Sequence, residues 1–117
     1  MHDVRKILKD FESGMGALSG SNGQVIKAFM DLQGATFGDS AISNKVKELI
    51  SVAIGAYNRC QYCIVFHVYK AYEAGATRQE ILEAAMVAAG GFGAGPSMAY
   101  SATLLLDAVN EFENDFK

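Results

Sequence analysis

The sequence predicts an all-α fold, a single-domain helical bundle of about six helices over residues 1–117, and three observations lead there. Apolar residues recur at three- and four-residue spacing along most of the chain, the pattern of helices with one buried side. Strand-like alternation of β-branched residues is absent, and the single proline, Pro96, falls near a helix start rather than inside a periodic stretch. Helix-opening residues recur just ahead of the periodic segments, at Ser43, Asn58 and Thr77.

In order along the chain, the first helix is expected over about His2 to Glu12, followed by a loop at Ser13–Gly16 and a second at Ser19–Gly23. A second helix is expected from Gln24 to Leu32, with Val25, Ala28, Phe29 and Leu32 on one face, and a break from Gly34 through Ser40. Ser43 caps the third, whose apolar stripe is Val46, Leu49, Ile50, Ala53 and Tyr57. No charge occurs from Leu49 to Asn58, so burial on more than one side is expected there. Asn58-Arg59-Cys60-Gln61 reads as an Asn variant of the capping box, which puts Cys60 and Cys63 in the first turns of a fourth helix ending at Gly75. Thr77-Arg78-Gln79-Glu80 is a cleaner capping box and opens a fifth helix to about Ala89. After a Gly90–Gly95 loop, Pro96 starts the last helix, with Met98, Ala102, Leu105, Leu106, Val109 and Phe112 along one face.

Composition bounds the function. The chain has 117 residues, the size of one domain, and half are apolar, enough for a core without metal or disulfide staples. A net charge of −3 with no basic run longer than a pair argues against nucleic acid or an anionic membrane as partner. No secretory signal and no apolar run of about 20 residues is present, so a soluble, cytoplasmic protein is expected. In that compartment a close cysteine pair points to catalysis or metal rather than a staple.

The informative stretch is Cys60-Gln61-Tyr62-Cys63-Ile64-Val65-Phe66-His67. Positions three, four and seven apart share a helix face, so Cys60, Cys63 and His67 point the same way, with the small Ala71 and Ala74 continuing that side. The helix start favours a thiolate, and an imidazole one turn from Cys63 can take its proton. One thiol can attack a peroxide and the other resolve the sulfenic acid as a disulfide, which an external thiol or dithiol reopens. No bound cofactor is required. The same pair would also suit a general disulfide reductase or thiol-exchange protein. A non-catalytic zinc-bound oligomeric scaffold could use two thiolates and an imidazole, although there is no further cysteine and the other histidine is His2. Covalent haem needs a histidine directly after the second cysteine, where Ile64 stands. Two inert, buried cysteines beside a satisfied core histidine are the bland alternative. Glu48 by itself reads as a solvated charge paired with Lys45, or, if both faces of its helix are buried, as a carboxylate needing a polar partner such as His67.

With Lys47-Glu48-Leu49-Ile50 ahead of the pair and Ala74-Gly75-Ala76-Thr77-Arg78-Gln79-Glu80-Ile81 after it, the chain resembles the alkylhydroperoxidase AhpD-like branch of the carboxymuconolactone decarboxylase family over about Ser43 to Leu106. The resemblance implies an all-helical fold assembling as a homo-oligomer, a trimer or hexamer, and a peroxidase acting on a small-molecule hydroperoxide with a dithiol electron donor. It assigns Cys63 as the reacting cysteine, Cys60 as the resolving one, and Glu48 with His67 as a proton relay. Tyr62 matches a family position without a catalytic step. The chain departs from the longer AhpD proteins in lacking an extra N-terminal helical region, which bears on assembly and reductant. Family members without the cysteine pair are decarboxylases acting on a lactone, and the intact pair argues against that chemistry. The helix carrying the cysteines is apolar almost all round, and part of it is expected to meet another subunit.

Overall fold

In the computed structural model, which describes residues 1–117, two helices form an N-terminal hairpin and the remainder wraps a central helix. α1 spans Val4–Ser21, and the Asp3 carboxylate accepts the Lys6 N–H at 3.1 Å to cap it. α2 (Gly23–Phe37) follows after the single residue Asn22. The loop expected at Ser13–Gly16 is therefore absent, the one expected at Ser19–Gly23 shrinks to Asn22, and the break expected from Gly34 begins only after Phe37. Glycine costs a helix about 1 kcal/mol per residue relative to alanine, which weakens a helix without forbidding it. Gly14, Gly16 and Gly20 all face open space, so nothing selected a turn there.

α3 (Asn44–Asn58) starts as expected, with Ser43 Oγ accepting the Val46 N–H at 3.2 Å. The cap of α4 (Gln61–Glu73) is Cys60, not Asn58. α3 runs through Asn58, Arg59 takes a left-handed conformation (φ 55°) that reverses the chain, and Cys60 Sγ accepts the Cys63 N–H at 3.3 Å. The capping signal was two residues early because Asn58 is still occupied inside α3. Gly75, at φ +94°, supplies the left-handed residue after α4. α5 (Arg78–Gly91) opens with the reciprocal capping box of Thr77 and Glu80.

The last rod comprises α6 (Ala94–Tyr100), a π-helical turn at Ser101–Leu105, α7 (Leu106–Phe112) and a 3₁₀ turn at Glu113–Phe116. Pro96 is the third residue of α6 rather than the first, still among the positions whose N–H has no intrahelical acceptor. The π-turn holds an extra residue and shifts the phase of the buried face, so Ser97 and Ser101 point inward while Met98 and Ala102 are exposed. From its last residue onward, Leu105, Val109 and Phe112 are buried as expected.

α4 is the hub. Ile64, Val65 and Val68 are fully buried among Val52, Ile81, Leu105, Val109 and Phe112. The Tyr72 hydroxyl donates to the Val109 carbonyl at 3.0 Å, and burial pushes this phenol's pKa up. Most of the apolar circumference of α4 is thus covered within the chain, while Tyr62 in its first turn stays half-exposed. Further uncovered apolar surface lies on α2, on the outward side of α3, at Val87 of α5 and at Phe92 just past its end. No helix is long and apolar enough to cross a membrane.

Candidate functional site

Cys60 and Cys63 are joined as a disulfide, with their Cα atoms 5.2 Å apart, at the start of α4. Both are half-buried. The local sequence explains the position. The Arg59 turn delivers Cys60 to the cap, where its sulfur takes an N–H that would otherwise lack a partner, and three residues on Cys63 lies in the first turn. Gly55 of α3 makes room for this turn. A Cβ there would lie 3.3 Å from the Ile64 nitrogen and 3.4 Å from the Cys63 Cβ, so only glycine lets the two helices approach without displacement.

One turn beyond Cys63, His67 Nδ1 lies 2.7 Å from Glu48 Oε1. The Glu48 residue is only 3% exposed. The salt-bridge partner that sequence offers it, Lys45, instead reaches Glu80 on α5 at 3.1 Å. Glu48 shares the inner side of α3 with Val52, Gly55 and Ala56, whereas Val46, Ile50 and Tyr57 of the expected apolar stripe face outward and only Leu49 and Ala53 pack on the core. A nearly buried carboxylate is costly unless a donor meets it, and the imidazole is that donor. Its Nδ1 is fixed by Glu48, which leaves Nε2 as the nitrogen free for exchange with a reacting group.

Aromatic rings hold the imidazole in place. Phe37, at the end of α2, stacks on it with centroids 5.7 Å apart and planes 19° from parallel. Phe66 meets it edge-on at 5.2 Å. Phe11 of α1 packs against both Phe66 and the half-exposed Tyr62, linking the hairpin to the cysteine-bearing turn. Phe37 fell within the expected break and carried no sequence signal, and Phe66 could have been suspected only from its place beside His67. Next to the Glu48–His67 pair a cleft of about 520 Å³ opens between α2, the start of α3 and the second half of α4. The cysteines do not line it. The structure therefore brings Glu48 and His67 into contact and joins Cys60 to Cys63, with the shared helix α4 connecting the two pairs. No group of three or more His, Cys, Asp or Glu side chains is arranged to hold a metal ion.

An all-helical chain with a CxxC disulfide at one helix start and a Glu–His pair, its carboxylate buried, a turn away defines a narrow structural class. The carboxymuconolactone decarboxylase family model matches residues 23–107, and the chain belongs to that family. Relatives include an uncharacterised protein encoded in the cox locus of Paracoccus denitrificans, 36% identical over 66% of this chain and 69% of its own. An uncharacterised Cupriavidus necator protein is 32% identical over 92% of this chain and 96% of its own. The crystal structure of the apo form of a Legionella pneumophila family member superposes with a TM-score of 0.89 at 32% identity, covering 95% of this chain and 97% of that one. A Thermotoga maritima family member, for which a part in an antioxidative response has been suggested, superposes at 0.70 with 22% identity, covering 94% and 96%, a likeness of fold alone. The family assignment and the helical architecture agree with the AhpD-like resemblance carried by the cysteine motif.

Proposed function

We propose that the protein is a thiol-dependent peroxidase, reducing organic hydroperoxides or hydrogen peroxide through a Cys60–Cys63 dithiol/disulfide cycle. The observation that carries this reading is the 2.7 Å Glu48–His67 contact on the helix that begins with the cysteine pair. A histidine oriented by a carboxylate is a competent proton carrier for a thiol one helical turn away.

In the reduced protein His67 takes the Cys63 proton, and the thiolate attacks the terminal oxygen of the hydroperoxide. The S–O bond forms, the O–O bond breaks, and the alcohol leaves with the proton returned by His67. Cys60 then attacks the Cys63 sulfenic acid, forming the disulfide and releasing water. An external thiol or dithiol supplies two electrons to reopen it. The helix-start N–H that meets Cys60 Sγ stabilises a Cys60 thiolate, which makes it a good leaving group when the reductant attacks Cys63. Glu48 steadies the imidazole and its positive charge. The proposed setting is a cytoplasmic, reducing compartment with no bound cofactor.

The test is consumption of cumene hydroperoxide with a dithiol reductant. Cys63→Ser should abolish turnover, and Cys60→Ser should leave a single oxidation without recycling. Full activity in Cys63→Ser would overturn the assignment. Peroxide-independent reduction of a disulfide substrate, with no peroxide turnover, would replace it by thiol exchange. The same reading includes a homo-oligomer, a trimer or hexamer, with the outward apolar side of α3 and α5 as the contact. Ile54, 54% exposed in a stretch free of charge, is its probe. Ile54→Lys should lower the sedimentation coefficient, and a wild-type monomer at all concentrations would reject the assembly.

A further inference from the structure

The cleft beside His67 has a composition that selects among hydroperoxides. Its volume of about 520 Å³ suits a small organic molecule. Met30, Phe37 and Phe66 supply its apolar walls, and Gln33 adds an uncharged amide that can both donate and accept. Its fixed charges are unbalanced. Asp39, Glu48 and Glu73 contribute carboxylates, whereas the one ammonium, Lys70, is bound to Glu73 on the same helix, and His67 is bound to Glu48. Asp39 accepts the backbone N–H of Asn44 at 2.7 Å, which holds its carboxylate at the cleft without neutralising it.

We infer that this cleft is the substrate subsite and that it admits uncharged organic hydroperoxides while disfavouring those that carry a carboxylate. An apolar group can rest on Phe37 and Phe66 with its peroxide end toward the His67 imidazole, at the edge of the cleft from which Cys63, outside the lining, is one helical turn away along α4. A carboxylate brought into the same space would meet a net negative lining, three carboxylates against the single Lys70 ammonium, and that ammonium is already held by Glu73. The repulsion acts on approach as well as on binding, and salt weakens both. The inference takes its reaction from the peroxidase reading but its selectivity from the cleft alone, and the two can fail separately.

The experiment compares cumene hydroperoxide with its para-carboxylate derivative at neutral pH and low ionic strength. In parallel, the two corresponding unreactive alcohols are titrated into isotope-labelled protein by NMR. The neutral hydroperoxide should be favoured by about tenfold in kcat/KM, a preference that shrinks as salt screens the cleft. The neutral alcohol should shift the amide signals of Phe37, Phe66 and His67, and the carboxylate alcohol should do so only at higher concentration. Glu73→Lys reverses one charge at the half-exposed end of α4 and should cut the preference about fivefold, with Glu73→Gln giving a smaller change in the same direction. Equal kcat/KM for the two hydroperoxides, equal binding of the two alcohols, signals that move away from the cleft, or a preference indifferent to both Glu73 variants would overturn the inference. Selective binding of the neutral alcohol without turnover of any hydroperoxide would sustain the cleft assignment and remove the peroxidase reading.

Discussion

The two sides of α3 oppose the usual distribution of polarity. The inward side carries Glu48, Val52, Gly55 and Ala56, all buried, and includes a carboxylate and a residue with no side chain. The outward side carries Val46, Ile50, Ile54 and Tyr57, all exposed and all larger and more apolar than most of what is buried. Burying large apolar groups is the main favourable term in folding, so an arrangement that buries Glu48 and exposes Ile54 is not the one hydrophobicity alone would choose. What selects it is contact. Gly55 lets α3 lie against the cysteine turn, and Glu48 finds His67 waiting on α4. The inner side is shaped by the site, and the outer side is left apolar.

The largest effect should come from breaking the inner side at its charge. Glu48→Ala leaves His67 Nδ1 without its acceptor and opens a gap in a nearly buried position. Stability should fall by about 1–3 kcal/mol, read as a lower urea midpoint with an unchanged slope. On the proposed cycle, peroxide turnover should drop by roughly a hundredfold, the scale of a lost acid–base group. Glu48→Gln keeps a hydrogen-bond acceptor but not the charge, and should recover most of the stability while turnover stays low. Turnover equal to wild type in both variants would reduce the pair to a structural contact.

A smaller but cleaner effect is expected at Gly55. In Gly55→Ala the added methyl meets the Ile64 nitrogen and the Cys63 Cβ inside the ordinary contact distance, both on a helix whose far side is the core. Neither neighbour is the loose end of a flexible side chain, so α3 and α4 must separate by a few tenths of an ångström. Overpacking of this kind costs about 1–3 kcal/mol, and the urea midpoint would register it. A stability unchanged within about 0.5 kcal/mol would mean that α3 can retreat freely, and would weaken the argument that contact dictates its orientation.

These residues also show what sequence alone can and cannot reach. The all-helical fold, the Ser43 and Thr77 caps, the Gly75 turn and the buried Leu105, Val109 and Phe112 of the last helical rod were legible because each depends on neighbours within a turn or two. Cys60, Cys63 and His67 were legible for the same reason, since one helix fixes their relation. The orientation of α3 was not, because the pattern Val46, Leu49, Ile50, Ala53, Tyr57 is the stronger apolar stripe. Only the approach of α4, nineteen positions from Glu48 to His67 along the chain, shows the other side to be the buried one. The inward turn of Ser97 and Ser101 was hidden for a related reason, because a π-turn shifts a helix face without any residue that announces it. In α1 the glycines suggested loops, but three glycines facing open space do not end a helix whose neighbouring turns stay bonded.

The rim between the two sides of α3 offers the gentlest test, through pH. Lys45 leaves α3 to meet Glu80 on α5, both partners about two-fifths exposed. The Glu80 carboxyl is held below its usual range, first by the Thr77 backbone N–H of the capping box and then by the Lys45 ammonium. A carboxyl with a depressed folded-state pKa stabilises the fold above its unfolded-state pKa of about 4.3, and that contribution fades as pH falls through the folded value. Wild-type protein should therefore lose this stabilisation only on acidification below about pH 4, and Glu80→Gln should flatten that part of the stability–pH curve while altering the neutral-pH midpoint slightly. Lys45→Met should flatten it less, because the capping N–H remains. If Lys45→Met flattened it as much as Glu80→Gln, the tie between α3 and α5, rather than the cap of α5, would be what acid dissolves. In that case the orientation of α3 would rest on its rim as well as on the contact between Gly55 and the cysteine turn.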